Sequence, residues 1–168
     1  MVAFSANAQQ GKYYIGTSGI GGNNIEFMTG FVATDGNTMI GIAPEIGYFF
    51  SDNMVFGLGI GLTSLGDSAL GTNFGLNPYV RYIACTVNNF SLYAQADLKY
   101  ASNGKLKNDY FSFGVIPGIA YSFNDKFAMN CGIGFLGYEK SKVNDVKLPG
   151  TFSLLVDGGL NLGLTYSF

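Results

Sequence analysis

The 168 residues are 48% apolar but only 12% charged, where an ordinary soluble domain carries about 25% charge. They include 25 Gly, 15 Phe and 11 Tyr, with no Trp or His. No apolar run approaches the ~18 residues of a membrane-spanning helix, and a formal charge of −2 gives no basis for nucleic-acid binding. What remains is a chain of one domain's length, rich in aromatics and poor in charge, which suggests a membrane protein made of strands.

Residues 1–8 read as the remnant of a secretory signal peptide. Ala6-Asn7-Ala8 is an A-x-A cleavage pattern that makes Gln9 the mature start, and residues 9–168 then form a single domain. The first strand is Lys12 to about Ser18. A Gly- and Asn-rich connection follows, reaching Asn37, and its apolar middle (Ile25, Phe27, Met28, Phe31, Val32) is expected to extend strands above the membrane. Thr38–Phe50 alternates, with Ile40, Ile42, Pro44, Ile46, Tyr48 and Phe50 on one face and Gly41, Ala43, Glu45, Gly47 and Phe49 on the other. The turn Ser51–Asn53 leads to Met54–Thr63. After a loop at about Ser64–Gly71 come Thr72–Ala84, the turn Cys85–Asn89, and Phe90–Ala101. Beyond a polar loop, Ser102–Asp109, lie Tyr110–Phe123, the turn Asn124–Lys126, and Phe127–Tyr138. A charged loop, Glu139–Gly150, precedes the last strand, Thr151–Phe168.

One unit is written three times. Pro44, Pro78 and Pro117 are each followed four residues later by a Tyr (Tyr48, Tyr82, Tyr121) and then by a polar turn, with starts 34 and 39 residues apart. This is a repeated hairpin. Hairpins without intervening helices build an antiparallel sheet, and closure removes its edges. Three short turns alternate with four longer loops, which puts short and long connections at opposite ends, as in an outer-membrane barrel with periplasmic turns and termini. The expected fold is all-β: an eight-stranded antiparallel up-and-down transmembrane β-barrel. The mid-strand prolines remove ladder donors, so local bulges or bends are expected at each.

The glycines choose the outward face. Gly47, Gly57, Gly59, Gly61, Gly114, Gly118 and Gly132 all share the polar face, and an eight-stranded barrel has room inside only for a mixture of small and large side chains. The bulky face therefore meets lipid. Tyr48, Tyr82, Tyr121, Phe123, Phe127 and Tyr166 form one candidate girdle near the short turns, and Phe74, Tyr100, Phe111, Phe135 and Phe152 a second toward the loops. Cys131 is expected to face lipid and Cys85 to sit in a turn, without a disulfide. Neither fits a metal or redox spacing.

Glu45, Arg81, Asp97, Lys99 and Asp157 point inward, with Lys12 at the short-turn end. In so narrow an interior, charges must find partners. An ion-pair and hydrogen-bond network filling the lumen is the plainer reading, and a selectivity constriction or a pair of catalytic carboxylates the sharper ones. Hairpin register sets Arg81 opposite Tyr93 and diagonal to Gln95, so its carboxylate partner is sought across the barrel. The third and fourth long loops each carry a net charge of +1, and Lys105, Lys107, Lys140, Lys142 and Lys147 are candidate contacts for lipopolysaccharide phosphates or a surface partner. Ordinary solvated loops are the plainer reading.

With these features the chain resembles the small outer-membrane β-barrel domains of Gram-negative bacteria, the OmpX-like and OmpA-transmembrane-domain-like group. The resemblance rests on Gly11–Gly16, Pro44–Asn53, Asn77–Tyr82, Pro117–Tyr121 and Gly159–Phe168, and covers essentially all of the mature chain. It implies an interior polar network, and a terminal signal for the barrel-assembly machinery in Leu162, Leu164, Tyr166 and Phe168. Function is implied poorly, because such barrels include structural proteins, adhesins, channels and enzymes. The enzymes rely on a His that this chain lacks, which removes the usual general base. Ser102 with Lys105 is a weak substitute that brings no oxyanion signal. The expectation is a non-enzymatic structural or surface-interaction barrel, monomeric and without cofactor, its lumen plugged by side chains and no peptidoglycan-binding domain following. The alternatives are a small low-conductance channel and, more distantly, a soluble lipocalin-like carrier.

Overall fold

A computed structural model describes residues 10–20, 27–34, 37–66, 71–144 and 146–168, except the side chains of residues 34, 37 and 155–160. Residues 1–9, and with them the signal-peptide remnant, lie outside the described residues. The strands are β1 (Tyr13–Ile20), β2 (Gly30–Thr34), β3 (Asn37–Ile42), β4 (Pro44–Ser51), β5 (Met54–Ser64), β6 (Thr72–Val87), β7 (Phe90–Asn103), β8 (Asn108–Ser122), β9 (Phe127–Val143), β10 (Val146–Lys147) and β11 (Thr151–Ser167). Every ladder is antiparallel. β1 pairs with β4 and β11, and the ring continues through β5, β6, β7, β8 and β9 back to β11. Because β3 and β4 are one wall strand broken at Ala43, the closed barrel has eight strands. β2 adds to β3 and β10 to β9 at the long-loop end.

The period-two pattern acts as expected. Ile42, Ile46, Phe56, Leu62, Phe113 and Leu164 are exposed on the outer wall, while Ala43, Glu45, Val55, Thr63, Tyr79 and Ser112 are buried in the lumen. A soluble fold could not present such a wall to water. Rings on the short-turn side touch in series: Tyr48 with Tyr13, Tyr13 with Phe168, Phe168 with Tyr166, and Tyr166 with Phe127. Phe111, Phe113 and Tyr138 form a second contact chain higher up.

Packing inside follows one rule. A ring from one strand lies flat on a glycine directly opposite: Tyr14 on Gly47, Tyr79 on Gly57 and Tyr93 on Gly118. Phe135 covers Gly114 and Gly137 in the same way. This corrects its expected place in the outer girdle. Gly134 (φ +76°) turns the backbone where four residues of β9 span three of β8, and the bulge sends Phe135 inward while Leu136 and Tyr138 take the outer face.

The prolines share one arrangement. Pairing runs unbroken from Pro44 to β1, from Pro78 to β5 and from Pro117 to β7, each time on the side of the preceding ring strand. On the other side the ladder lapses: at residues 43–44 toward β5, at 77–78 toward β7, and at the β9 bulge facing Pro117. Each missing N–H thus coincides with a gap in pairing to the next strand, and only the Pro117 gap carries a bulge.

Three expectations about the ends change. β6 runs on to Val87, so Cys85 lies in a strand and the turn contracts to Asn88-Asn89. β9 runs on to Val143 because β8 keeps pairing with it through Asp109↔Lys142, so Glu139, Lys140 and Lys142 are strand residues rather than loop. Phe27 and Met28, expected above the membrane, are instead buried, whereas Phe31 remains 75% exposed on β2. Gly19 (φ +74°) lies against this buried segment, where a Cβ would collide with the Phe27 carbonyl.

The ring-on-glycine rule predicts a contrast between two glycines two residues apart on β5. A Cβ on Gly57 meets the Tyr79 ring, whereas one on Gly59 meets only Asn77 at 3.6 Å. Gly57→Ala should destabilise the barrel by about 1–3 kcal/mol through overpacking. Gly59→Ala should be neutral or stabilising by up to about 1 kcal/mol. Urea titrations of the two variants in lipid vesicles check this.

Candidate functional site

The site is the lumen, and two layers of side chains cross it. The first is a belt to which all eight wall strands contribute. Arg81 (β6) donates from Nε to Gln95 Oε1 (2.7 Å) and from Nη1 to Asn130 Oδ1 (3.0 Å). Asn130 Nδ2 donates to Thr165 Oγ1 (3.4 Å), and Gln95 Nε2 to Asp97 Oδ1 (2.9 Å). Asp97 pairs with Lys99 at 3.6 Å. The Arg81 guanidinium also lies 4.6 Å from the Tyr93 ring centre and 5.5 Å from that of Tyr79, within cation–π range. The hydroxyls of Tyr14 and Tyr79 are hydrogen-bonded to each other, and Tyr79 donates to Glu45 Oε2 (3.3 Å). Gly57 of β5 and Gly118 of β8 are the flat backs against which the Tyr79 and Tyr93 rings rest.

The second layer lies nearer the long loops. Phe27 lies on Gly75 and packs with Ala43, Ala101 and Tyr110. Thr29 fixes the segment: its Oγ1 donates to Ser18 O (2.6 Å) and accepts from Ala43 N (2.9 Å). Burying a Phe side chain stabilises by about 1.5–3 kcal/mol, so this inward segment adds to folding.

These contacts revise the expected network. Arg81 faces Gln95, not Tyr93, because β6 bulges at Ala84, where Ile83 pairs with Tyr93 and Cys85 with Leu92. No described carboxylate lies within ion-pairing reach of Arg81, whose partners are amides and rings instead. Glu45 is held through Tyr79, and Asp97 with Lys99 forms the local ion pair. The Asp157 side chain lies outside the described residues. Gln95, expected only as a diagonal neighbour, is a direct partner, and Asn130 joins the network as a neutral member whose place on the inward face marks it. Phe27 sits in a stretch without periodicity that could have flagged it.

On the short-turn side of the belt the lumen widens into a vestibule of about 890 Å³, with Arg81 in its roof and Lys12, Asp52 and Asp125 among its lining residues. At the other end, Ser102 Oγ (2.8 Å) and Tyr100 OH (3.3 Å) donate to Asp109 Oδ1, and Lys142 approaches its other oxygen at 3.5 Å. Tyr110 donates to Glu139 (2.5 Å). The Ser102 hydroxyl is therefore engaged by Asp109 rather than set up as a nucleophile. Lys147 faces Lys142 across the β9–β10 pair, Lys140 is exposed, and Lys105 lays its stem against Gly71. Lys107 takes a left-handed turn position (φ 51°). Leu162, Leu164 and Tyr166 pair with both β1 and β9 or stack in the lower girdle. Phe168 exchanges backbone hydrogen bonds with Tyr13 at 2.9 and 3.3 Å.

Residues 1–168 match the family described as outer membrane protein beta-barrel domain. No curated protein sequence matches the chain. Among solved structures it is similar to the N-terminal β-barrel domain of Pseudomonas aeruginosa OprF, at 15% identity and TM-score 0.54, covering 95% of this chain and 98% of that one. It is also similar to Neisserial surface protein A, at 15% identity and TM-score 0.48, covering 94% and 95%. Escherichia coli outer membrane protein W gives 14% identity and TM-score 0.43, covering 95% and 98%.

Asp109 supplies a pH prediction outside the membrane span. The Ser102 hydrogen bond, helped by Lys142 and Tyr100, holds its carboxyl below the usual aspartate range. A depressed folded value stabilises above the ordinary aspartate pKa, and that stabilisation is lost as pH falls through the folded value. The carboxyl should therefore titrate below the ordinary range in a ¹³C NMR titration, and Ser102→Ala should move its midpoint up.

Proposed function

The chain belongs to the outer membrane protein β-barrel domain family, and we propose that it is a non-enzymatic barrel of the bacterial outer membrane whose lumen is closed and whose work is structural or done at the cell surface. One observation carries this reading: side chains from six wall strands meet in the belt around Arg81 and rest on glycines of the other two, and Phe27 closes the lumen again nearer the long loops. A solute would have to displace a buried guanidinium from two amides and two rings, and each hydrogen bond lost to such a charged group costs about 1.5–3 kcal/mol. The short turns and both termini face the periplasm and the long loops face outward, following the asymmetry common to such barrels. The outer rim then presents Lys105, Lys107, Lys140, Lys142 and Lys147 to lipopolysaccharide phosphates or a surface partner, and the strand that ends in Phe168 presents its outward face to the assembly machinery.

A channel is the second reading. It is favoured by two buried oxygens, Asn77 Oδ1 and Ser112 Oγ, which have no hydrogen-bond partner among the described residues and could serve a permeating ion.

Single-channel recording in a planar bilayer separates the two. The closed reading expects folded, inserted protein with no discrete conductance steps. Steps that change size or selectivity with Asp97→Asn or Lys99→Gln would make the inner charges a filter and overturn it.

A further inference from the structure

The vestibule has features that closure of the barrel does not require. One wall is apolar: Tyr14, Phe49 and Val55 pack together there with Ile83 against them. The facing wall, from β7, β8, β9 and β11, offers Ser91, Ser122, Asn130 and Thr165. The roof is Arg81, only 8% exposed yet lining the cavity. A guanidinium has five N–H donors. Described side chains take two from Arg81, Gln95 at Nε and Asn130 at Nη1, and no described carboxylate pairs with it. Lys12, Asp52 and Asp125 line the same cavity, so its other charges sum to −1, and of its two cations Arg81 is the buried one.

A cavity of about 890 Å³ is within the range of small-molecule sites, which pair apolar walls with a few convergent polar groups. Planar guanidinium donors suit a carboxylate, which they hold by charge-assisted bonds. We propose that the short-turn vestibule binds a small amphipathic carboxylate, its head on the free N–H groups of Arg81 and its apolar body along Tyr14, Phe49 and Val55. The inference rests on the cavity and on the partners of Arg81, not on whether the lumen conducts.

The test uses the whole barrel in phosphatidylcholine nanodiscs, with hexanoate as probe and its uncharged analogue hexanamide as control. Side-chain NMR signals of Arg81 Nε and Asn130 Nδ2 report on the site itself and not on partitioning into lipid. Saturable shifts with hexanoate and none with hexanamide are expected. Arg81→Gln, followed at Asn130, should raise the half-saturating concentration at least about tenfold, the effect of losing a charge-assisted hydrogen bond. Ala120→Phe fills the cavity while leaving every belt residue in place, and should weaken binding similarly. This second variant decides the matter if Arg81→Gln does not fold. Equal responses to hexanoate and hexanamide overturn the proposal. So does undiminished hexanoate binding in either folded variant, or the absence of a saturable shift up to about 50 mM, well above the millimolar affinities of weak small ligands.

Discussion

A strand edge left open in hydrocarbon strands its N–H and C=O groups at several kcal/mol each. The whole molecule therefore depends on β1 meeting β11. Tyr14–Thr17 pair with Ser167–Leu164, and the last residue, Phe168, bonds back to Tyr13 through both backbone groups. Closing the ring at eight strands sets a bore only just wide enough for side chains, and the bore then dictates the interior. The rings that lie flat across the bore do so where the facing strand offers no Cβ: Tyr14, Tyr79 and Tyr93 each have a glycine opposite. The same tight fit makes a buried Arg tolerable. Arg81 gives up water but gains two amide oxygens and two ring faces at the height where strands β6, β7 and β9 bring them together. The closed backbone, the glycines and the central guanidinium thus form one chain of consequence.

Much of this was legible in the residues. Alternation at period two marked all eight wall strands and their outward faces, because burial on one side and lipid on the other leaves a strong imprint at every second position. The inward glycines told lumen from lipid by volume alone. What was hidden followed from single-residue irregularities. An extra residue at Ala84 shifts the β6–β7 register and gives Arg81 Gln95 in place of Tyr93, and nothing in the local composition announces it. The bulge at Gly134 reverses Phe135 in the same way. In a strand a slip of one residue exchanges the faces, so such irregularities have effects far out of proportion to their length. The inward turn of Phe27 depends on the cavity it enters, above Gly75 and beside Ala101, which sequence neighbours do not describe. The partners of Arg81 are neutral amides and rings, which carry no charge to mark them as its complement in the sequence.

The three prolines divide the wall into mechanically unequal parts. Every lapse they mark lies inside a hairpin joined by a short turn: β4 with β5, β6 with β7, and β8 with β9. The ladders joining one such hairpin to the next, β5 with β6 and β7 with β8, run without a gap or a shift. The barrel is therefore a set of stiff staves, β5–β6 and β7–β8, separated by creases at mid-height. Elastic deformation of the bilayer, such as a change in thickness or curvature, will be taken up along those creases by shear between staves. The staves themselves will tilt as units and carry their long loops with them.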